Sequence, residues 1–284
     1  MAKLLPFLRL VRVGTLFSPA ADVVASVAVV GAAWTGALAG AVAASVCLYA
    51  AGMVWNDVAD RRVDAEVRPE RPLPSGAIGL PVAMSLGALL LAVGLWLSPC
   101  RLHHGIIAAL VLLYDFVSKR VLWLGALNMG VLRGLNLGTA LACVPTTAAI
   151  ALDLRIAAIC YGIYIVAVTI LGHFEDTPNV RPRAVSNIQA APLLAGLCGL
   201  WAVQGGLWPA PLLGGVAVLW CARQNARIYT WDRPAIRRAM TRLLLGTMLY
   251  TALLALAAGR PVEAAAIVLV IVPARWISRR IALT

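Results

Sequence analysis

Long apolar runs separated by short polar breaks dominate the chain. A helix needs about 20 mostly apolar residues to cross a bilayer. Ten stretches meet or approach that length: 15–36, 37–56, 79–98, 104–119, 122–145, 153–173, 187–206, 209–229, 238–258 and 262–278. This pattern predicts an all-α, polytopic membrane protein. Pro and Arg interrupt the N-terminal MAKLLPFLRLVRVG, so no cleavable signal peptide is expected and the first span must direct insertion. The whole chain, 1–284, is expected to form one membrane domain, with polar motif loops at about 56–78 and 173–186. A third polar loop, ARQNARIYTWDRPAIRRAM, is basic and carries one acid.

Composition strengthens this picture. Of the 284 residues, 62% are hydrophobic and 13% charged, against about 45–50% and roughly 25% in soluble domains. The net charge of +12 would suit nucleic acid if it were spread over a surface. Instead, threading the ten spans puts twenty of the 24 Lys and Arg on one face of the membrane. The other face receives Arg101, Arg155 and Arg260, and Arg133 falls inside a span. By the positive-inside rule both termini and both motif loops are cytoplasmic, and binding to nucleic acid is not expected. The six cysteines are scattered, with neither a CxxC nor a Cys/His spacing, so neither a zinc site nor a disulfide framework is indicated.

Five of the twelve acids crowd into NDVADRRVDAEVRPERPLPSG, residues 56–76. If the second span continues as a helix past Asn56, then Asp57, Asp60 and Asp64 fall at about 0°, 300° and 340°, forming one stripe with Asn56 on its flank. Carboxylates about 5 Å apart repel by roughly 3 kcal/mol per pair at an effective dielectric of 20. Arginines can offset part of that, and a divalent cation more. An all-oxygen set of Asn56, Asp57, Asp60 and Asp64 suits Mg²⁺ or Mn²⁺ over zinc, and Mg²⁺ binds through one or two carboxylates plus substrate phosphate oxygens. Arg68 and Arg71, set among Pro69, Pro72 and Pro74, suit a diphosphate. Ser75 is expected to cap the third span. The plain alternative is a solvated loop of Asp–Arg pairs.

The run N-D-x-x-D-x-x-x-D followed by RPxRPxPSG resembles the UbiA superfamily of intramembrane prenyltransferases. The resemblance implies a bundle of nine helices around a central cavity, with a tenth span as an addition. It implies a second acidic motif after the sixth helix, here GHFEDTPNVRPR, with Glu175 and Asp176 as ligands and Asn179 where the family carries its second aspartate. Pro178 and Pro182 are expected to break the helix there, and His173 to act as a cap or a base. Tyr114 and Lys119 in LLYDFVSKR are similar to the family's diphosphate-steadying Tyr/Lys pair, although five residues apart instead of four. Asp115 and Lys119 could equally form an i,i+4 ion pair. Arg133 and Asn136 share a helix face and are expected to line the cavity, with a structural ion pair as the alternative for Arg133.

The implied reaction is Mg²⁺-dependent transfer of a prenyl group from a prenyl diphosphate to an unidentified acceptor, through an allylic carbocation sheltered from water. Asp57, Asp60, Lys119 and Asp176 are its expected catalytic residues. Asn56, Arg68, Arg71, Tyr114, Arg133, Asn136 and Asn179 are its expected substrate contacts. A UbiA-type terpene cyclase and a non-enzymatic transporter or lipid-binding protein are the alternatives. A nucleotide-diphosphate alcohol phosphotransferase would need Gly where Arg61 stands.

Overall fold

A computed structural model of the chain describes residues 4–176, 182–203, 209–228 and 231–281. Among them every regular element is helical: α1 (Leu5–Leu10), α2 (Phe17–Val30), α3 (Gly36–Val67), α4 (Leu80–Leu97), α5 (Arg101–Phe116), α6 (Leu122–Leu137), α7 (Thr139–Cys143), α8 (Ala148–His173), α9 (Pro182–Ala202), α10 (Pro209–Asn225), α11 (Arg233–Ala257) and α12 (Pro261–Ile281), with short 3₁₀ turns after α1, α5 and α8. Ten of these match the ten apolar segments, and α7 completes the fifth after a break at Gly138. Among the described residues seven helical stretches are long and apolar enough to cross a membrane, which makes this an integral, multi-pass membrane protein. Among the described residues α6 has 16 residues, α10 has 17, and α9 contributes the apolar stretch Ile188–Ala202.

The chain divides into two compact units, with divisions inside α2 and α12, in the loop before α3 and in the 3₁₀ turn after α5. The first contains α1, α3, α4, α5 and the end of α12. Its axis is α3, opened by Thr35, whose hydroxyl accepts from Leu38 N at 3.3 Å. Thirty-two residues make a helix of about 48 Å at 1.5 Å per residue. The hydrocarbon core is about 30 Å thick, so the last turns of α3 project past it. They carry the acidic stripe. Leu10 of α1 packs with Val54 and Val58 of α3 and with Ile78 and Ala83, flanked by Phe7, Trp55 and Leu73.

Between α3 and α4 the chain turns tightly. Ser75 N donates to Arg71 O at 3.0 Å, and Ile78 N donates to Pro72 O at 3.0 Å. Ser75 does not cap α4. That helix starts at Leu80 after Gly79, and the Ser75 hydroxyl donates back to Pro72 O at 3.4 Å. The turn needs Gly76 at φ 74°, which pulls the serine away from the helix start.

The second unit contains α6 to α11 and most of α2. There α6 and α8 cross through glycines. A Cβ on Gly130 would stand 2.7 Å from Gly162 O, and one on Gly162 would stand 3.0 Å from Gly130 O. Without a hydrophobic drive between helices in lipid, such close backbone contact supplies much of the packing. Beside it Tyr161 stacks on Tyr250 with centroids 5.4 Å apart. The helix that Pro178 and Pro182 were expected to break ends at His173, and Pro182 is the first described residue of α9. A first-turn proline costs no hydrogen bond, because that N–H has no helical partner. Pro178 and Asn179 lie outside the described residues.

Gly130→Val is expected to lower the melting temperature in detergent, at a cost of about 1–3 kcal/mol from overpacking. Gly215→Ala, with nothing within 4 Å of the added methyl, should melt like the parent. Equal melting of both variants would rule out the close crossing.

Candidate functional site

In the first unit the α3 helix runs unbroken through Asn56, Asp57, Asp60 and Asp64, as the stripe requires. Asp57 and Asp64 are buried, at 4% and 3% exposure, and Asp60 is half-buried. Arg71 joins the two buried acids, with Nη1 2.6 Å from Asp64 Oδ2 and 3.5 Å from Asp57 Oδ1. Arg68, the residue that ends the helix, gives its backbone N–H to Asp64 O at 2.8 Å and sets its guanidinium 3.9 Å from Asp64 Oδ1. The prolines around Arg68 and Arg71 bend the chain back so that its cations meet the helix that precedes them.

A further cation comes from the other end of the sequence. Arg12 Nη2 donates to Asp57 Oδ1 at 3.0 Å. Its position gave it only a topological meaning, as one of the cytoplasmic positive charges, and no local pattern links it to residue 57. Tyr114, in the last turn of α5, is within electrostatic range of Asp60 and Arg12. Helix α5 ends at Phe116, and Lys119 sits in the 3₁₀ turn Ser118–Arg120. The i,i+4 geometry expected for Asp115 and Lys119 therefore does not carry through as one helix.

These pairs change the electrostatic account of the stripe. The guanidinium groups of Arg12 and Arg71 offset the mutual repulsion of Asp57 and Asp64. The donor chemistry still fits Mg²⁺. Both arginine contacts to Asp57 fall on Oδ1, and Asn56 and Asp60 offer further hard oxygen ligands on the same helix face. Among the described residues no three acidic, His or Cys side chains converge into a ready-made cage. Mg²⁺ does not require one, since it binds through one or two carboxylates and completes its shell with water and substrate oxygens.

In the second unit Glu175 lies in the 3₁₀ turn after α8 and accepts from Arg237 Nε at 2.5 Å and Arg233 Nε at 3.4 Å. The metal expectation did not include this use of Glu175. Both arginines belong to the first turns of α11, which Asp232 caps through Ala235 N at 2.9 Å. Asp176 closes the same 3₁₀ turn. His173 is the exposed last residue of α8.

Arg133 and Asn136 are buried and turn toward Asp22 of α2. Arg133 Nη2 is 3.1 Å from Asp22 Oδ2, and Asn136 Nδ2 donates to the same oxygen at 2.9 Å. The Tyr161 hydroxyl donates to Asp22 Oδ1 at 3.0 Å and also meets Arg133. Beside them Ser26 Oγ accepts from Ala140 N at 2.9 Å. This geometry matches the ion-pair alternative for Arg133. Asp22 was not singled out from the sequence, although a signal existed: one acid and one arginine, each alone within an apolar span, are natural partners in a membrane.

A family model described as "UbiA prenyltransferase family" matches residues 16–248, most of the chain. Curated relatives match over shorter stretches. The digeranylgeranylglyceryl phosphate synthase of Ignicoccus hospitalis is 40% identical over 93 residues, 32% of this chain and 30% of that protein. The synthase of the same name from Sulfolobus acidocaldarius is 41% identical over 75 residues, 25% of this chain and 27% of that protein. The chain thus matches less than a third of the length of these relatives. Solved structures align over far more. One, described as giving insights into digeranylgeranylglyceryl phosphate synthase in membranes, has a TM-score of 0.66 at 21% identity, covering 92% of this chain and 99% of its own. A UbiA homologue from Archaeoglobus fulgidus bound to GPP and Mg²⁺ has a TM-score of 0.61 at 14% identity, covering 89% and 99%. At these identities the likeness establishes the fold.

Asp22→Ala and Arg133→Ala should each destabilise the purified protein by about 3–5 kcal/mol, because each strands a buried charge. The double variant should cost clearly less than the sum of the two, measured by thermal or denaturant unfolding in detergent. Additive losses would mean that the pair does not form.

Proposed function

The chain belongs to the UbiA prenyltransferase family, and from that premise we infer that it transfers a prenyl group from a prenyl diphosphate to an acceptor within the membrane, with Mg²⁺ as cofactor. The observation that carries this reading is the unbroken run of α3 past the bilayer to Val67. It keeps Asn56, Asp57, Asp60 and Asp64 on one face, with Asp57 and Asp64 buried.

Asn56, Asp57 and Asp60 would hold the metal, which supplies positive charge to the departing diphosphate. Asp64 anchors Arg71 and Arg68 and so keeps cationic donors at the same helix end. These guanidinium groups are set before any ligand arrives, and a preorganised charge needs no rearrangement when the leaving group gains negative charge. We also assign Tyr114, Lys119, Asp176 and Asn179 to the diphosphate end, on the family resemblance. Glu175 holds Arg233 and Arg237 at the second motif, and Arg133 and Asn136 serve as partners of Asp22. The apolar helices exclude water, which would otherwise capture the allylic cation. Both motifs are assigned to the cytoplasmic face on the distribution of Lys and Arg. Two solved neighbours lend support: the names of one and of the curated relatives specify a prenylated glyceryl phosphate product, and the other was bound to GPP and Mg²⁺.

Membranes containing the protein, supplied with labelled prenyl diphosphates and either prenylated glyceryl phosphates or aromatic acceptors, should yield a prenylated lipid by mass spectrometry, and chelation of Mg²⁺ should stop it. Asp60→Asn should lower turnover by about 10²–10³ while leaving the amount of folded protein unchanged. A cyclised hydrocarbon formed without any acceptor would replace transfer by cyclisation. Near-normal turnover of Asp60→Asn would remove Asp60 from the reaction.

A further inference from the structure

The family match ends at residue 248, and the chain continues through α12. The end of α12 belongs to the same compact unit as α1 and α3, and it meets the N-terminal segment at two points. Arg9 Nε donates to Ile281 O at 3.1 Å. Gly14 lies so close to Ser278 that a Cβ there would stand 2.8 Å from Ser278 N and 2.9 Å from Ser278 Cα. Only glycine fits against that backbone.

Between these two contacts lies Arg12. Its backbone is left-handed, at φ 48° and ψ 53°, and it is the one non-glycine residue with positive φ among the described residues. For an L-residue this costs roughly 1–2 kcal/mol, and it persists only where the surroundings over-determine it. Here three features do so. Leu10 is sunk into the core beside Val54 and Val58. The Thr15 hydroxyl and N–H both donate to Arg12 O at 2.8 Å. The end of α12 holds Arg9 and Gly14. The result is a guanidinium delivered to Asp57 Oδ1 at 3.0 Å.

We propose that α12 acts as a strap, seated through Gly14–Ser278 and Arg9–Ile281, that fixes Arg12 on the first acidic motif and makes Arg12 a positioning residue for Asp57. The chemistry served by Asp57 rests on the function inferred above; the strap itself does not.

The test uses four full-length variants: Arg12→Gly, which accepts the left-handed backbone and removes the guanidinium, Arg12→Lys, Gly14→Val, and the double Arg12→Gly/Gly14→Val. Limited trypsin digestion of purified Gly14→Val should cut after Arg9 and Arg12 about tenfold faster than the parent. With prenyl diphosphate as varied substrate, Arg12→Gly and Gly14→Val should each raise KM about tenfold and leave the KM for the acceptor unchanged, and Arg12→Lys should restore most of the loss. The double variant should be no worse than Arg12→Gly within about twofold, since coupled residues do not add. Should Gly14→Val fail to fold, Gly14→Ala, a single methyl against the same atoms, takes its place. Full additivity in the double variant, or parental trypsin resistance in the Gly14 variant, would overturn the strap. If no prenyl diphosphate is turned over by the parent, the function inferred above fails, and the trypsin comparison still decides the strap.

Discussion

One arginine holds the first acidic motif in shape. Arg71 reaches Asp57 and Asp64, two turns apart on α3, and lets two carboxylates remain buried at the end of a helix where like charges would otherwise drive them apart. The chain reversal through Pro72 and Gly76 brings Arg71 back along α3. The hydrophobic cluster of Leu10, Val54, Val58, Ile78 and Ala83 stands under that reversal. Loss of the arginine would leave buried, uncompensated charge, a costlier state than a missing surface ion pair.

Much of this was legible in the sequence for a simple reason: lipid imposes length. Segments of the required length and hydropathy announce themselves, and seven of them stand among the described residues as helices long and apolar enough to cross a membrane. The acidic stripe was legible because helical periodicity places positions 57, 60 and 64 together without reference to any other part of the chain. What escaped notice depends on distance along the chain. Arg12 is 45 residues from Asp57 and Asp22 is 111 from Arg133, and no local pattern encodes such pairs. How the guanidinium groups share in the compensation was hidden for the same reason, because Arg71 arrives from a neighbouring loop and Arg12 from the N-terminus.

Each unit meets the problem of buried charge in its own way. At the end of α3 the carboxylates are met by guanidinium groups that stay partly open, at 38% side-chain exposure for both Arg12 and Arg68. On α2 a single carboxylate is enclosed, with Arg133, Asn136 and Tyr161 saturating its oxygens. In the first arrangement the guanidinium groups keep part of their surface open. The second has its charges matched internally and serves to fasten α2, α6 and α8.

Because one guanidinium serves two carboxylates, the genetics of the motif will be epistatic. A change at Asp64 releases Arg71 to crowd Asp57, so a phenotype at position 64 records a disturbance at 57 as well as the loss of its own oxygens. A scan of single alanines will therefore overcount the separate weight of each.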